Sequence, residues 1–176
     1  IFLMAGFEST LSAIWASVGI GIVNVVFTVI SLYLVDRIGR RKLYFIGLSG
    51  IAFSVLCLSA CFIYANQLGE IGRWLMVIFM FGYVAFFAIS IGPLGWLVIS
   101  EIFPQKVRGL GTSIGSLAVW IFNCIVSFTF FKIIDFFSIP GTEIVVGQTT
   151  SENPAGAFFL YGFIAVLGLV WGYLFL

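Results

Sequence analysis

From Ser12 to Val35 the chain runs without a charged residue. Crossing the hydrocarbon of a bilayer takes roughly 20 predominantly apolar residues, so this stretch can span it with some tilt. A segment of this kind is buried either in a large protein core or in lipid, and composition decides between the two. The chain is 62% hydrophobic and 9% charged, with a mean hydropathy of +1.22, whereas a soluble domain is roughly 25% charged. Too little polar surface remains to cover a globule in water. The sequence therefore predicts an all-α, multi-spanning membrane protein.

Charge clusters divide the rest into spans. Helices are predicted over about 12–36, 43–65, 71–103, 107–137 and 154–176, and residues 1–6 read as the end of an earlier helix. Asn66 to Arg73 reads as a short loop and Ser138 to Asn153 as a polar loop, with Pro154 suited to the first position of the last helix. Ile1 opens without a start Met or signal pattern and Leu176 closes on an apolar run, so the chain reads as a fragment of a larger membrane protein. Arg37, Arg40, Arg41, Lys42, Lys106 and Arg108 fall on one side of the membrane and only Arg73 and Lys132 on the other. Basic residues mark the cytoplasm, which places loops 36–42 and 104–108 there and Glu8, Glu70, Asp135, Glu143 and Glu152 outside.

The third span is interrupted. Gly92, Pro93 and Gly95 sit within one short stretch, followed at once by Trp96. Proline gives no backbone N–H and crowds the preceding turn, and a broken helix persists in a membrane only where it is buried in protein or lines a wet cavity. A break beside an aromatic plate predicts a site near the bilayer midplane, with Glu101 closing the same helix at the cytoplasmic end.

Helical stripes sort the spans. Ser17, Gly21, Asn24, Thr28 and Ser31 lie along one face of the first, and Ser113, Ser116, Trp120, Asn123 and Ser127 along one face of the fourth. The second and last spans carry stripes of small residues instead, Gly47, Gly50, Ser54, Cys57 and Cys61 on one, Gly162, Ala165, Gly168 and Gly172 on the other. Small residues let helices pack closely. The first, third and fourth spans are thus expected to line a cavity, braced by the second and last.

Each candidate has a plain and a functional reading. Asn24 needs a partner in hydrocarbon, which is either a neighbouring helix or a polyhydroxyl ligand. Trp15, Trp74 and Trp171 fit an interfacial belt. Trp96 and Trp120 lie deeper, where an indole face either packs or meets the C–H patches of a sugar ring. Asp36, Arg37, Arg40, Arg41 and Arg108 are either solvated loop charges or members of a network in which Arg40 or Arg41 pairs with Glu101, since a guanidinium fork fits a carboxylate. No His is present, the three cysteines lie in apolar runs, and no nucleophile–base set, phosphate loop or metal-ligand spacing is seen, so neither an enzyme nor a metal or cofactor site is expected. A net charge of +1 gives no reason to expect a nucleic-acid partner.

Asp36-Arg-Ile-Gly-Arg-Arg41 resembles the loop signature of the sugar porters of the major facilitator superfamily. Ile91-Gly-Pro-Leu-Gly-Trp96 and Ser100-Glu-Ile-Phe-Pro-Gln-Lys-Val-Arg-Gly109 resemble the broken tenth helix of that family and the turn after it. Phe86-Phe-Ala-Ile-Ser-Ile-Gly-Pro93 is more similar to bacterial proton–sugar symporters than to animal facilitative glucose transporters, which usually carry Glu where Ala88 stands. The resemblance covers the whole chain. It implies the C-terminal six-helix half of a twelve-helix alternating-access carrier, its seventh helix truncated, multi-pass in the plasma membrane. It implies a hexose or pentose as substrate, with a proton as coupling ion; a facilitative uniporter and a non-transporting sugar sensor are the alternatives. By the same resemblance Asn24, Gly92, Trp96, Trp120, Asn123 and Phe87 contact the sugar, and Asp36, Arg37, Arg40, Arg41, Glu101 and Arg108 form a cytoplasmic gating network. Val119 stands where relatives carry Gln or Asn, so the resemblance does not name the sugar.

Overall fold

The structure is a computed structural model that describes residues 10–137, 144–146, 149–151 and 153–175. Its elements are α1 (Thr10–Ile38), α2 (Arg40–Ile63), α3 (Ala65–Ile89), α4 (Ile91–Ile102), α5 (Arg108–Phe137), the strands β1 (Ile144–Val146) and β2 (Thr149–Ser151), and α6 (Ala155–Phe175). Among the described residues five stretches are long and apolar enough to cross a membrane: Ile14–Ile38, Arg40–Ile63, Gln67–Ile102, Arg108–Phe137 and Ala155–Leu174. The helix end expected over residues 1–6 lies outside the described residues, as do Glu8, Glu143 and Glu152.

The connections are short and have local causes. Between α1 and α2 the chain turns on a single residue, Gly39, whose φ of 83° only glycine adopts without strain. The expected loop over 66–73 is helical instead. The Gln67 and Leu68 amides both donate to the Tyr64 carbonyl at 3.0 Å, starting α3 early. The change of direction is concentrated at Gly69, with φ 52° and ψ −128°. Within the polar loop after α5, β1 pairs antiparallel with β2, Ile144 opposite Ser151; the β-branched run Ile-Val-Val and the paired threonines favour extended backbone. At the start of α6, the Asn153 side-chain oxygen accepts the Ala155 amide at 3.0 Å and its amide donates to the Phe62 carbonyl at 2.9 Å. Asn153 thus caps α6, with Pro154 at the first helical position.

Packing centres on α2. Of the apolar stretch of α2, 61% is buried, against 6% for α1 and for α5. α2 lies between α3 and α6. Its core side chains Val55, Leu58 and Phe62 are buried, and the Phe62 ring stacks on Phe158 of α6 with centroids 5.5 Å apart. The small stripes of α2 and α6 admit bulky neighbours: Gly162 faces Leu56, and Gly172 faces Tyr44. α1 and α5 leave Val25, Leu32, Phe122 and Phe128 exposed, faces suited to hydrocarbon rather than water.

Candidate functional site

The third span breaks at Ser90, not within Gly92–Gly95 as the sequence suggests. Ser90 has φ −123° and ψ −86°, while Gly92, Pro93 and Gly95 all belong to α4. The reason lies in where a missing N–H does no harm. The first turn of a helix has no intrahelical partner for its amides, so Pro93, in the first turn of α4, starts a helix rather than breaking one. At the end of α3 the Ser90 amide reaches back to the Phe87 carbonyl at 3.3 Å, and its hydroxyl donates to the Phe86 carbonyl at 2.9 Å. The Leu94 amide then bonds the Ser90 carbonyl at 3.0 Å and opens α4.

Around the break lies a cavity of about 470 Å³, within the roughly 300–1,000 Å³ usual for small-molecule sites. α1 gives it Asn24 and Thr28; α3 gives Phe87 and Ala88; α4 gives Gly92, Trp96 and Ile99; α5 gives Val119. None of its lining comes from α2 or α6. Asn24 and Thr28 stand one turn apart on α1 and are half-buried. Among the described residues neither side chain makes a hydrogen bond, so an amide and a hydroxyl are available to a ligand. Opposite them the wall is aromatic: Trp96 is 48% exposed, and Phe87 is stacked on Tyr83 with centroids 6.4 Å apart. At Gly92 a side chain would lie 3.2 Å from the Phe87 carbonyl and 3.3 Å from its ring, so glycine lets the two meet closely.

Asn24, Gly92, Trp96 and Phe87 are therefore brought together, whereas Trp120 and Asn123 are not. Val119 faces the cavity, and 3.6 residues per turn swing its neighbour Trp120 about 100° away, leaving it 65% exposed. Asn123 shares the face of Val119 but stands one turn farther along, outside the lining. Thr28 is the residue that sequence reasoning left unassigned, although its place on the polar stripe of α1 signals it.

At the foot of α4, the Arg40 guanidinium donates to the Glu101 carboxylate at 2.8 Å through one nitrogen, and its second nitrogen pairs with the other oxygen. Both side chains remain about half exposed. Among the described residues Asp36, Arg37, Arg41 and Arg108 make no ion pair, so the expected network is here one two-pronged pair. A second cavity, about 620 Å³, lies between α2, α3, α5 and α6. Its polar groups are the hydroxyls of Tyr83, Ser127 and Tyr161, with no amide or charge.

A model of the sugar (and other) transporter family matches residues 1–176. The chain is similar to a D-xylose transporter of Levilactobacillus brevis, 38% identical over 137 residues that make up 78% of this chain and 30% of the relative. It is also similar to the facilitated glucose transporter member 1 of Gallus gallus, 36% identical over 74% of this chain and 26% of that one. Among solved structures it matches the proton:xylose symporter XylE bound to 6-bromo-6-deoxy-D-glucose, with a TM-score of 0.74 and 30% identity over 95% of this chain and 32% of that one. The chain thus spans about a third or less of the length of these proteins.

Proposed function

The chain belongs to the sugar transporter family, and on that premise we propose that it is part of a secondary transporter carrying a monosaccharide, a hexose or a pentose, across the plasma membrane by alternating access coupled to protons. The observation that carries this reading is the convergence of an unbonded Asn24 amide and the Trp96 indole on one cavity at a helix break. The amide suits vicinal hydroxyls as both donor and acceptor, and the indole and Phe87 suit the C–H faces of a sugar ring. Gly92 lets the Phe87 ring that forms this wall pack closely against α4. The Arg40–Glu101 pair acts as an inner gate, tying the foot of α4 to the start of α2, with loops 36–42 and 104–108 on the cytoplasmic side. Proton coupling is supported by the likeness to the xylose symporter. Uniport is the second reading, favoured by the likeness to the facilitated glucose transporter.

The test uses the full-length protein in proteoliposomes, with labelled D-xylose and D-glucose counterflow measured with and without a pH gradient. Asn24→Ala removes a polar ligand contact, a change of about 1–3 kcal/mol or about 5–150-fold, and Trp96→Ala removes the aromatic wall; each should lower uptake at subsaturating sugar by that order while membrane insertion stays intact. Normal uptake by both variants would sink the site assignment. Uptake indifferent to the pH gradient would leave uniport as the mode.

A further inference from the structure

The break at Ser90 is seated against α2. Ser90 is fully buried. Directly opposite it stands Gly47, where a methyl group would fall on the Ser90 hydroxyl and on its β-carbon, with the Phe86 carbonyl 3.2 Å away. One turn along, Gly50 makes room for the Phe86 ring in the same way. The two glycines form a notch on α2, the most buried of the described spans, and the last turn of α3 lies in it.

We propose that Gly47 and Ser90 are positioning residues of the ligand cavity. The Gly47 notch seats the Ser90 side chain, and that seat, rather than Pro93, fixes where the third span breaks and therefore how Gly92 and Trp96 enter the cavity. Two features support this. The irregular backbone is at Ser90, and Pro93 sits where α4 tolerates it. The Ser90 hydroxyl also takes over the Phe86 carbonyl, which its own amide leaves in favour of Phe87, so the break does not orphan that carbonyl while the Ser90 side chain keeps this position. A small shift at the seat displaces everything after it, and Trp96 lies less than two turns further along α4.

The inference rests on the cavity being the sugar site, and the experiment keeps the two apart. In the full-length protein, Gly47→Ala should weaken binding of labelled D-xylose or D-glucose about tenfold or more. It should also raise amide exchange at residues 90–94, where the Leu94 bond to Ser90 opens α4. Combining Gly47→Ala with Ser90→Gly removes the hydroxyl and the β-carbon on which the new methyl falls, but leaves the Phe86 carbonyl 3.2 Å from it and without its hydroxyl donor, so it should restore affinity and protection together in part. Gly162→Ala is the packing control. Its methyl would lie 2.6 Å from Leu56 on the far side of α2, so it should lower the melting temperature without changing affinity or exchange at 90–94. If Gly47→Ala leaves exchange at 90–94 unchanged, or if the double variant restores none of the lost protection, the seat is refuted. Should Gly47→Ala alone not fold, the double variant decides: folded with a protected 90–94 segment it supports the seat, and unfolded it overturns it. If the unaltered protein binds neither sugar, the functional reading falls while the exchange data still test the seat.

Discussion

Replacing Glu101 by Ala tests the proposed inner gate. Arg40 and Glu101 meet through two N–H···O contacts, one at 2.8 Å. Their side chains are 52% and 42% exposed, so water screens the pair and it ranks with surface ion pairs of about 0.2–1 kcal/mol. Two-pronged geometry puts it at the upper end, near 1 kcal/mol. That amount changes a conformer ratio about fivefold. A carrier that opens inward by parting α4 from α2 should therefore shift about fivefold toward the inward-open form in Glu101→Ala. Sugar affinity should stay within about twofold, because removing a charge at the foot of α4 takes no ligand contact from the cavity. Spin-label distances across the cytoplasmic face of the full-length protein report the populations, and equilibrium binding reports the affinity. Arg40→Ala should give the same shift, and the double variant no more than either alone, since all three lack the same bond. The exchanged pair, Arg40→Glu with Glu101→Arg, should recover most of it. Additive single effects, or populations and turnover equal to those of the unaltered protein, would refute the gate.

The turn at Gly39 feeds the same gate. Gly39→Ala forces a side chain into φ 83° and ψ 155°, a region essentially confined to glycine, at a cost of about 1–3 kcal/mol, and by moving Arg40 it should reproduce the population shift of Glu101→Ala. Asn153→Ala should act on stability alone. It removes the cap of α6 and leaves the buried Phe62 carbonyl without that donor, about 1–3 kcal/mol in all, so denaturation should come earlier with sugar affinity unchanged.

Much of the cavity is legible in the sequence because its signals are local. Asn24 and Thr28 share a helical stripe in an uncharged run, and Gly92, Pro93 and Trp96 are adjacent letters. The errors fall where a local signal is ambiguous. A proline can break a helix or begin one, and the letters around Pro93 do not say which. Trp120 and Asn123 are deep and aromatic or polar, as cavity residues are, yet the rotation of α5 turns Trp120 away and presents Val119 instead, and Asn123, on the face of Val119, stands one turn beyond the lining. Arg40 and Arg41 both look able to reach Glu101, and only the placement of α2 beside α4 selects one of them.

Residue pattern is enough to establish that the chain is mainly helical, that its helices are built for a membrane, and that polar and aromatic residues fall on some spans and small ones on others. Each follows from hydropathy and period, which depend on residues within a turn or two of one another. Tertiary structure alone decided that the third span breaks at Ser90, that Arg40 rather than Arg41 holds Glu101, and which face of α5 meets the cavity. These depend on contacts across the bundle, such as Gly47 against Ser90, or Arg40 with Glu101, 61 residues apart. A helical period leaves the rotation and depth of each helix free until another helix packs against it.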